Sequence, residues 1–151
     1  AAGLDTNTVN ASRGVRLVPD CGWDSIATED FDAIAIPGGL QGTEALRADT
    51  RLLEAIRSFH SAGKLIGAIC AAPLVLQEAG ILSKRRVTSH PSVAARLHDV
   101  ERVDSDVVTD GNIVTGKGAG VSFEFALTML RLAGDRSKAG EIAGAICLPE
   151  R

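Results

Sequence analysis

The sequence predicts an α/β domain in which helices cover both faces of a mostly parallel β-sheet. Short apolar segments rich in Ile and Val alternate along the chain with segments that show helical periodicity. Gly and Pro residues separate the two kinds of segment, as is typical of chains in which strands alternate with helices. The chain has 151 residues, of which 45% are hydrophobic, and this is enough for one core. We therefore expect residues 1–151 to form a single domain.

The first half of the chain contains two predicted strands and a predicted helix. Residues 15–18 form a short apolar segment that a Pro-Asp pair ends. Residues 31–36 are apolar and β-branched, and Pro37-Gly38-Gly39 ends them. Asp49 is suited to cap the N-terminus of a helix that continues to about Ser61. The apolar face of that helix is expected to consist of Leu52, Leu53, Ile56 and Phe59.

The centre of the chain reads as a buried strand that runs directly into a helix. Residues 64–76 are Lys-Leu-Ile-Gly-Ala-Ile-Cys-Ala-Ala-Pro-Leu-Val-Leu. We expect the strand over residues 65–69 and the helix to end near Glu78, with Gly80 after it. Cys70 stands at the junction of these two elements.

The second half of the chain continues the alternation of strands and helices. Residues 86–90 predict a strand that ends before Pro91, and residues 107–115 predict a hairpin with Asp110-Gly111 at its turn. Amphipathic helices are predicted over residues 122–132 and about 137–146.

Composition excludes several classes of function. The formal net charge is −3, no basic stripe is present, and only 3% of residues are aromatic, so nucleic acid is not an expected partner. No apolar run approaches the roughly 20 residues that span a bilayer, so no membrane association is expected. Three widely spaced cysteines without a secretory signal favour reduced thiols and a cytoplasmic location.

Neither a metal nor a cofactor is expected. The cysteines form no CxxC pair and no Cys/His cluster with zinc spacing. Residues 116–120 are glycine-rich and precede a helix, a context in which phosphate can bind. However, the segment does not match a P-loop, because no Ser or Thr follows Lys117. It does not match a dinucleotide-binding motif either, because Phe123 stands where that motif has its third glycine.

Cys70 is the first candidate for a catalytic residue. A side chain at a strand–helix junction projects from the carboxyl edge of the sheet, where the amides of the new helix favour a thiolate. Its small neighbours permit the sharp turn of a nucleophile elbow. A lone cysteine is also commonly a small buried hydrophobe. The residues alone leave both interpretations open.

Two other segments end at the same predicted edge. Gly38 and Gly39 allow backbone amides to approach a ligand closely and to form half of an oxyanion hole, although a plain turn is the alternative. His90 could orient or deprotonate a thiol, although a strand-end histidine capped by backbone is the alternative. Because open α/β sheets bind ligands along the carboxyl edge, the convergence favours function.

Five segments together resemble the ThiJ/PfpI superfamily. They are residues 12–15 (Ser-Arg-Gly-Val), 31–39 (Phe-Asp-Ala-Ile-Ala-Ile-Pro-Gly-Gly), 67–73 (Gly-Ala-Ile-Cys-Ala-Ala-Pro), 88–91 (Thr-Ser-His-Pro) and 118–127 (Gly-Ala-Gly-Val-Ser-Phe-Glu-Phe-Ala-Leu). They follow the order of the family and span nearly the whole chain. The last segment points to the branch of the parkinsonism-associated deglycase and the bacterial ThiJ proteins.

The resemblance implies a flavodoxin-like three-layer sandwich that forms a homodimer. It implies that Cys70 is the nucleophile, in a strained backbone conformation, and that His90 is its partner. The amides of Gly39 and Ala71 would form the oxyanion hole. The residues expected to line the pocket are Gly38, Arg13 and Ala119.

The resemblance also implies a class of reaction. We expect a cofactor-free enzyme of the glyoxalase or deglycase type, which acts on small 2-oxoaldehydes or their adducts. The alternatives are an oxidative-stress sensor or chaperone that uses the same cysteine without turnover, and an inactive truncated member.

Two departures from the family pattern accompany the resemblance. The family's first strand and helix carry a protonated glutamate that touches the cysteine, and this sequence starts at what resembles the second strand. We therefore expect an N-terminally incomplete chain (processed, truncated or incompletely represented) or a partner chain that carries the missing strand. Gly118-Ala119-Gly120 stands where the family has Gly-Pro-Gly. No histidine occurs late in the chain, so glutamine hydrolysis, as in the amidotransferase relatives, is disfavoured.

Overall fold

Four strands form the main sheet of the computed structural model, which describes residues 1–148. The strands in chain order are β1 (Ala2–Gly3), β2 (Val9–Asn10), β3 (Arg16–Leu17), β4 (Cys21–Gly22), β5 (Ala33–Ile36), β6 (Leu65–Ile69), β7 (Arg86–Val87), β8 (Glu101–Arg102), β9 (Val107–Asp110) and β10 (Ile113–Gly116). The main sheet has the order β5–β6–β10–β9, and only β9 is antiparallel to its neighbour. The pairs β1–β4 and β7–β8 are parallel, and β2–β3 is antiparallel. The mostly parallel sheet confirms the predicted fold class.

Helices cover both faces of the main sheet. They are α1 (Leu40–Ala48), α2 (Thr50–Ser61), α3 (Pro73–Glu78), α4 (Pro91–Ala94), α5 (Ser122–Leu132) and α6 (Arg136–Ala145). The larger apolar cluster lies between the sheet and helices α2 and α3, and a smaller one lies under α5. A Cβ atom on Gly67 in β6 would collide with the side chain of Met129 and would lie 2.7 Å from Cζ of Phe125, so glycine here lets these two α5 side chains pack directly on the sheet. The result is a three-layer arrangement.

Local sequence signals explain where the long helix next to the site begins and ends. The Asp49 carboxylate accepts hydrogen bonds from the amides of Arg51 (3.0 Å) and Leu52 (3.2 Å), as the predicted N-cap requires. Beyond the other end, Gly63 has a φ of +69°. The predicted apolar face is buried and comprises Leu52, Leu53, Ile56 and Phe59.

Several strands are shorter than predicted. The strand expected over residues 15–18 spans only Arg16–Leu17, which pairs with β2 in an exposed two-stranded ribbon. The strand expected over residues 31–36 begins at Ala33. The strand expected over residues 86–90 ends at Val87, and the Thr88 amide that follows donates to the Thr115 hydroxyl (3.0 Å).

The predicted hairpin is present, but its turn lies one residue further on. Asp110 still pairs with Ile113, so the loop is Gly111-Asn112 and not Asp110-Gly111. Gly111 has a φ of +60°, which favours glycine at this position.

Sequence reasoning missed helix α1. Only one of its side chains, that of Thr43, is buried, so the helix has no apolar stripe to reveal it. Ion pairs connect it to its neighbours instead. Arg47 binds Glu78 on α3 (2.7 Å), and Glu44 binds Arg96 just after α4 (2.7 Å). None of the helices in residues 1–148 has both the length and the apolar character needed to cross a lipid bilayer.

Candidate active site

Cys70 lies at the sharp turn between β6 and α3. Its φ is +64°, a left-handed conformation that costs a non-glycine residue about 1–2 kcal/mol. Two hydrogen bonds hold this backbone. The Cys70 amide donates to the Gly116 carbonyl (2.8 Å), and the Cys70 carbonyl accepts from the His90 amide (2.9 Å). The thiol is half-buried. Strained backbone retained by surrounding structure is characteristic of functional sites.

The glycine loop after β5 packs directly against this cysteine. A Cβ atom on Gly38 would lie 2.6 Å from Cβ of Cys70, 2.9 Å from the Ile69 carbonyl oxygen and 3.2 Å from Sγ of Cys70. No side chain fits there. Gly39 has a φ of +93°, and a Cβ atom on it would lie 2.8 Å from Oγ of Ser12. The Cys70 thiol therefore lies beside Gly38, and the Ser12 hydroxyl lies beside Gly39.

The amides expected to form an oxyanion hole have no acceptor in the described part of the protein. Between residues 1 and 148, neither the Gly39 nor the Ala71 amide donates a hydrogen bond to a protein group. Gly39 directly precedes α1, and Ala71 lies two residues before α3. Amides at such positions point outward from a helix N-terminus and favour negative charge.

His90 is connected to the elbow through its backbone, and its ring caps helix α4. The Nδ1 atom accepts a hydrogen bond from the Ser92 amide (3.2 Å) and lies 2.8 Å from Oγ of Ser92. Because Nδ1 is an acceptor, the neutral ring carries its proton on Nε2. A Cβ atom on Gly118 would lie 3.5 Å from Cδ2, next to that nitrogen. In this arrangement neutral His90 can donate from Nε2, whereas deprotonation of the thiol by Nε2 would require the other tautomer.

The residues expected to line the pocket do not all share one cleft. Arg13, Gly38 and Gly39 line a cleft together with Ser12. Arg13 is exposed and has a φ of +65°. Ala119, by contrast, is exposed in a turn that follows Gly118, and that cleft does not include it.

The cation nearest in sequence to that turn is already paired. Lys117 donates from Nζ to Asp104 (2.6 Å). This hydrogen bond, with the opposite charges, raises the pKa of Lys117 and lowers the pKa of Asp104. We therefore assign the ammonium no role in the site. Residues 1–148 also contain no group of three or more His, Cys, Asp or Glu side chains arranged to hold a metal ion.

Sequence reasoning missed two hydroxyl-bearing residues at the site. Ser12 lies over Gly39, and Ser92 fixes the tautomer of His90. A signal existed for Ser92, because it follows His-Pro at the start of a short helix, where a side chain can cap the amides. No signal of that kind marks Ser12, which approaches the glycine loop only through the tertiary fold.

A strained cysteine at a strand–helix turn, packed against a glycine loop, defines an α/β protein with a candidate nucleophile-elbow site. The model of the DJ-1/PfpI family matches residues 1–132, and the chain therefore belongs to the DJ-1/PfpI family.

Individual relatives agree with this assignment. Protein dj-1beta of Drosophila melanogaster is 39% identical over 145 residues, which cover 94% of this chain and 78% of that protein. Its crystal structure has a TM-score of 0.89 at 38% identity and covers 96% of this chain and 79% of that one. The glutathione-independent glyoxalase DJR-1.2 of Caenorhabditis elegans is 35% identical (97% of this chain, 79% of the relative). Deglycase PH1704 of Pyrococcus horikoshii is 33% identical (77% of this chain, 70% of the relative).

Proposed function

We propose that this protein is a cysteine-dependent, cofactor-free enzyme of the glyoxalase or deglycase type, which acts on small 2-oxoaldehydes or their adducts. The observation that carries the proposal is the position of Cys70, strained at φ +64° and packed against Gly38. Relatives named as a glyoxalase and a deglycase support the class of reaction.

The first step is addition of the Cys70 thiolate to the aldehyde carbon. A bond forms between Sγ and that carbon, and the carbonyl oxygen becomes an oxyanion. The free amides of Gly39 and Ala71 are the candidate donors to it. Protonation of the oxyanion gives a hemithioacetal.

The second step moves hydrogen between adjacent carbons. The proton on the former aldehyde carbon leaves, an enediol forms, and a proton returns to the neighbouring carbon, which gives a thioester of a 2-hydroxy acid. Water then hydrolyses the thioester and regenerates the thiol. One carbon is oxidised and its neighbour reduced, so the reaction needs no external redox agent.

His90 suits one part of this transfer. With its proton on Nε2, the neutral ring can donate to an oxygen of the substrate and so make the adjacent C–H bond more acidic. Removal of the carbon-bound proton also needs a base, and the family resemblance implies a glutamate beside the cysteine, carried by the family's first strand and helix.

The test is turnover of methylglyoxal, measured as lactate formed. Cys70→Ser should abolish it, whereas Cys147→Ser, which changes an exposed cysteine, should leave it unchanged. Equal rates in Cys70→Ser and the unaltered protein would refute the mechanism. No turnover in either would refute the proposed enzyme.

A second candidate function is redox sensing by the same thiol. The free amides of Gly39 and Ala71 support it, because they can donate hydrogen bonds to the oxygens of a sulfinate formed on the half-exposed Cys70 thiol. Peroxide should then add the mass of two oxygens to the Cys70 peptide before it modifies the peptides of Cys21 or Cys147. Preferential oxidation of either of the other two would count against it.

We also propose that the protein acts as a homodimer. Its exposed apolar side chains include Val15, Leu17 and Val18, which lie on or beside the β2–β3 ribbon and close in sequence to Arg13. Leu17→Lys should shift the sedimentation coefficient from dimer to monomer. Leu132→Lys, an exposed change on α5, should leave it unchanged. A monomeric unaltered protein would refute the proposal.

A further inference from the structure

A buried threonine stands in strand β10, in the interior of the main sheet. All four residues of the strand (Ile113–Gly116) are buried, and Thr115 is 1% exposed. Its side chain lies on the same face of the sheet as that of Ile113, which belongs to the larger apolar cluster. A polar side chain in such surroundings needs a partner. The Thr115 hydroxyl accepts a hydrogen bond from the Thr88 amide (3.0 Å) and so connects β10 to the segment that follows β7.

This hydrogen bond closes a ring that contains the backbone of the candidate nucleophile. The Cys70 amide donates to the carbonyl of Gly116, the residue directly after Thr115 (2.8 Å). The Cys70 carbonyl accepts from the amide of His90, two positions after Thr88 (2.9 Å). The three hydrogen bonds therefore join the elbow, the end of β10 and the segment after β7 into one closed loop.

The ring explains how a costly backbone conformation persists at Cys70. A φ of +64° is retained only where the surrounding structure determines it. Each of the two peptide groups that flank the Cys70 side chain is held by one segment, and the Thr115 hydroxyl fixes those two segments to each other. Without that hydroxyl, the Thr88 amide would be buried and unpaired, which is unfavourable. The segment after β7 would shift to relieve this, and the Cys70 carbonyl would shift with it.

We propose that Thr115 is a positioning residue for the Cys70 thiol. Its hydroxyl sets the distance between the two backbone groups that bind Cys70, and so keeps the thiol beside Gly38. Thr115 acts through backbone groups and not by contact with the substrate. The inference rests on the proposed function in treating Cys70 as the reacting group, but alkylation of that thiol tests it without any turnover.

Two substitutions separate the hydroxyl of Thr115 from its methyl group. Thr115→Val keeps the branched shape and loses the acceptor, whereas Thr115→Ser loses the methyl group and keeps the hydroxyl. In Thr115→Val, iodoacetamide should react with Cys70 about fivefold more slowly than in the unaltered protein, the size expected from one hydrogen bond. The reason is that a relaxed turn carries the sulfur away from the free amides of Gly39 and Ala71. Thr115→Ser should keep the unaltered rate. The rate at exposed Cys147 is the internal reference in both variants.

Turnover of methylglyoxal supplies a second measurement, made where urea unfolding shows the variants to be fully folded. Thr115→Val should lower kcat at least about tenfold and change KM by less than about twofold, because misplacement of a reacting group slows the reaction and leaves binding intact. Thr115→Ser should restore kcat. A lower unfolding midpoint with unchanged kcat and unchanged alkylation would show a purely structural role and overturn the proposal. If the unaltered protein shows no turnover, the proposed enzyme fails, and the alkylation rates still decide the role of Thr115.

Two other buried threonines supply matched controls. Thr43 is 0% exposed, and its hydroxyl has no hydrogen-bond partner within residues 1–148. The Thr88 hydroxyl donates to the Ser105 carbonyl (2.8 Å), a hydrogen bond outside the ring, and valine at this position keeps the amide that the ring uses. Thr43→Val and Thr88→Val should therefore leave the alkylation rate of Cys70 unchanged. Slowing by either one that equals the slowing by Thr115→Val would overturn the proposal.

A second pair of variants covers the case in which Thr115→Val does not fold. Thr115→Ala and Thr115→Ser both lack the methyl group and differ only in the hydroxyl. Cys70 should react about fivefold more slowly in the alanine variant than in the serine variant. Equal rates within either pair overturn the proposal. So does slowing that follows loss of the methyl group and not loss of the hydroxyl.

Discussion

Replacement of Gly38 by alanine tests how tightly the glycine loop packs against the candidate nucleophile. The new Cβ would lie 2.6 Å from Cβ of Cys70 and 2.9 Å from the Ile69 carbonyl oxygen. The second of these is backbone at the end of β6 and cannot rotate away. Overpacking of this kind lowers the free energy of unfolding by about 1–3 kcal/mol. Because alanine also restricts the unfolded chain, about 0.4–1 kcal/mol of that cost is offset.

The net destabilisation of Gly38→Ala is therefore about 1–2 kcal/mol. With a urea m-value of about 2 kcal/mol per molar, the unfolding midpoint should fall by about 0.5–1 M. Displacement of the loop should also change the rate of Cys70 alkylation by iodoacetamide, measured by peptide mapping against Cys147.

Gly42→Ala is the matched control for Gly38→Ala. Gly42 lies within α1, and a Cβ atom on it would meet no other atom within 4 Å. Alanine there should stabilise the protein by about 0.5–1 kcal/mol through helix propensity. Equal midpoints for Gly38→Ala and the unaltered protein, or destabilisation by Gly42→Ala, would refute the packing argument.

Two further predictions concern the scaffold. Gly67→Ala should lower the free energy of unfolding by about 1–3 kcal/mol and so lower the thermal midpoint, because the new Cβ would collide with Phe125 beneath α5. An unchanged midpoint would contradict this close packing of α5 on the sheet. Asp49→Ala should cost about 0.5–2 kcal/mol near neutral pH through loss of the cap. Hydrogen bonds from the Arg51 side chain and from backbone amides lower the pKa of Asp49. The stability that the Asp49 carboxylate contributes is therefore complete above its unfolded-state pKa of about 3.9. It disappears as the pH falls through the lower pKa of the folded state. Urea unfolding of both proteins from pH 7 to pH 2 should show the difference shrinking toward acid, and a constant difference would contradict this assignment.

The parts of the fold that sequence reasoning predicted are those with strong local signals. Helix α2 has a capping aspartate and a continuous apolar face, and the β9–β10 hairpin has a glycine where φ is positive. The strand–helix elbow at Cys70 also follows from local sequence, because an apolar β-strand pattern changes directly to a helical one. Each of these elements is determined mainly by residues close to one another in the chain.

The parts that could not be predicted depend on contacts distant in sequence. Helix α1 is held by ion pairs to Glu78 and Arg96, which no periodicity reveals. The predicted strand at Arg86 is shorter than expected, and the Thr88 amide just beyond it donates to the Thr115 hydroxyl, 27 positions away. The tautomer of His90 depends on the geometry of the Ser92 amide, which a sequence motif does not specify.

The two hydrogen bonds at Cys70 connect three separate chain segments in series. The Gly116 carbonyl, the Cys70 peptide units and the His90 amide form one chain of contacts. If this chain breaks only as a whole, the amide protons of Cys70 and His90 should exchange with solvent through the same rare opening and at similar free energies. A ligand that occupies the site would then raise both barriers together, and its affinity could be measured from the exchange of either proton. Cys70 and His90 would thus behave as one cooperative unit, although 20 positions in the sequence separate them.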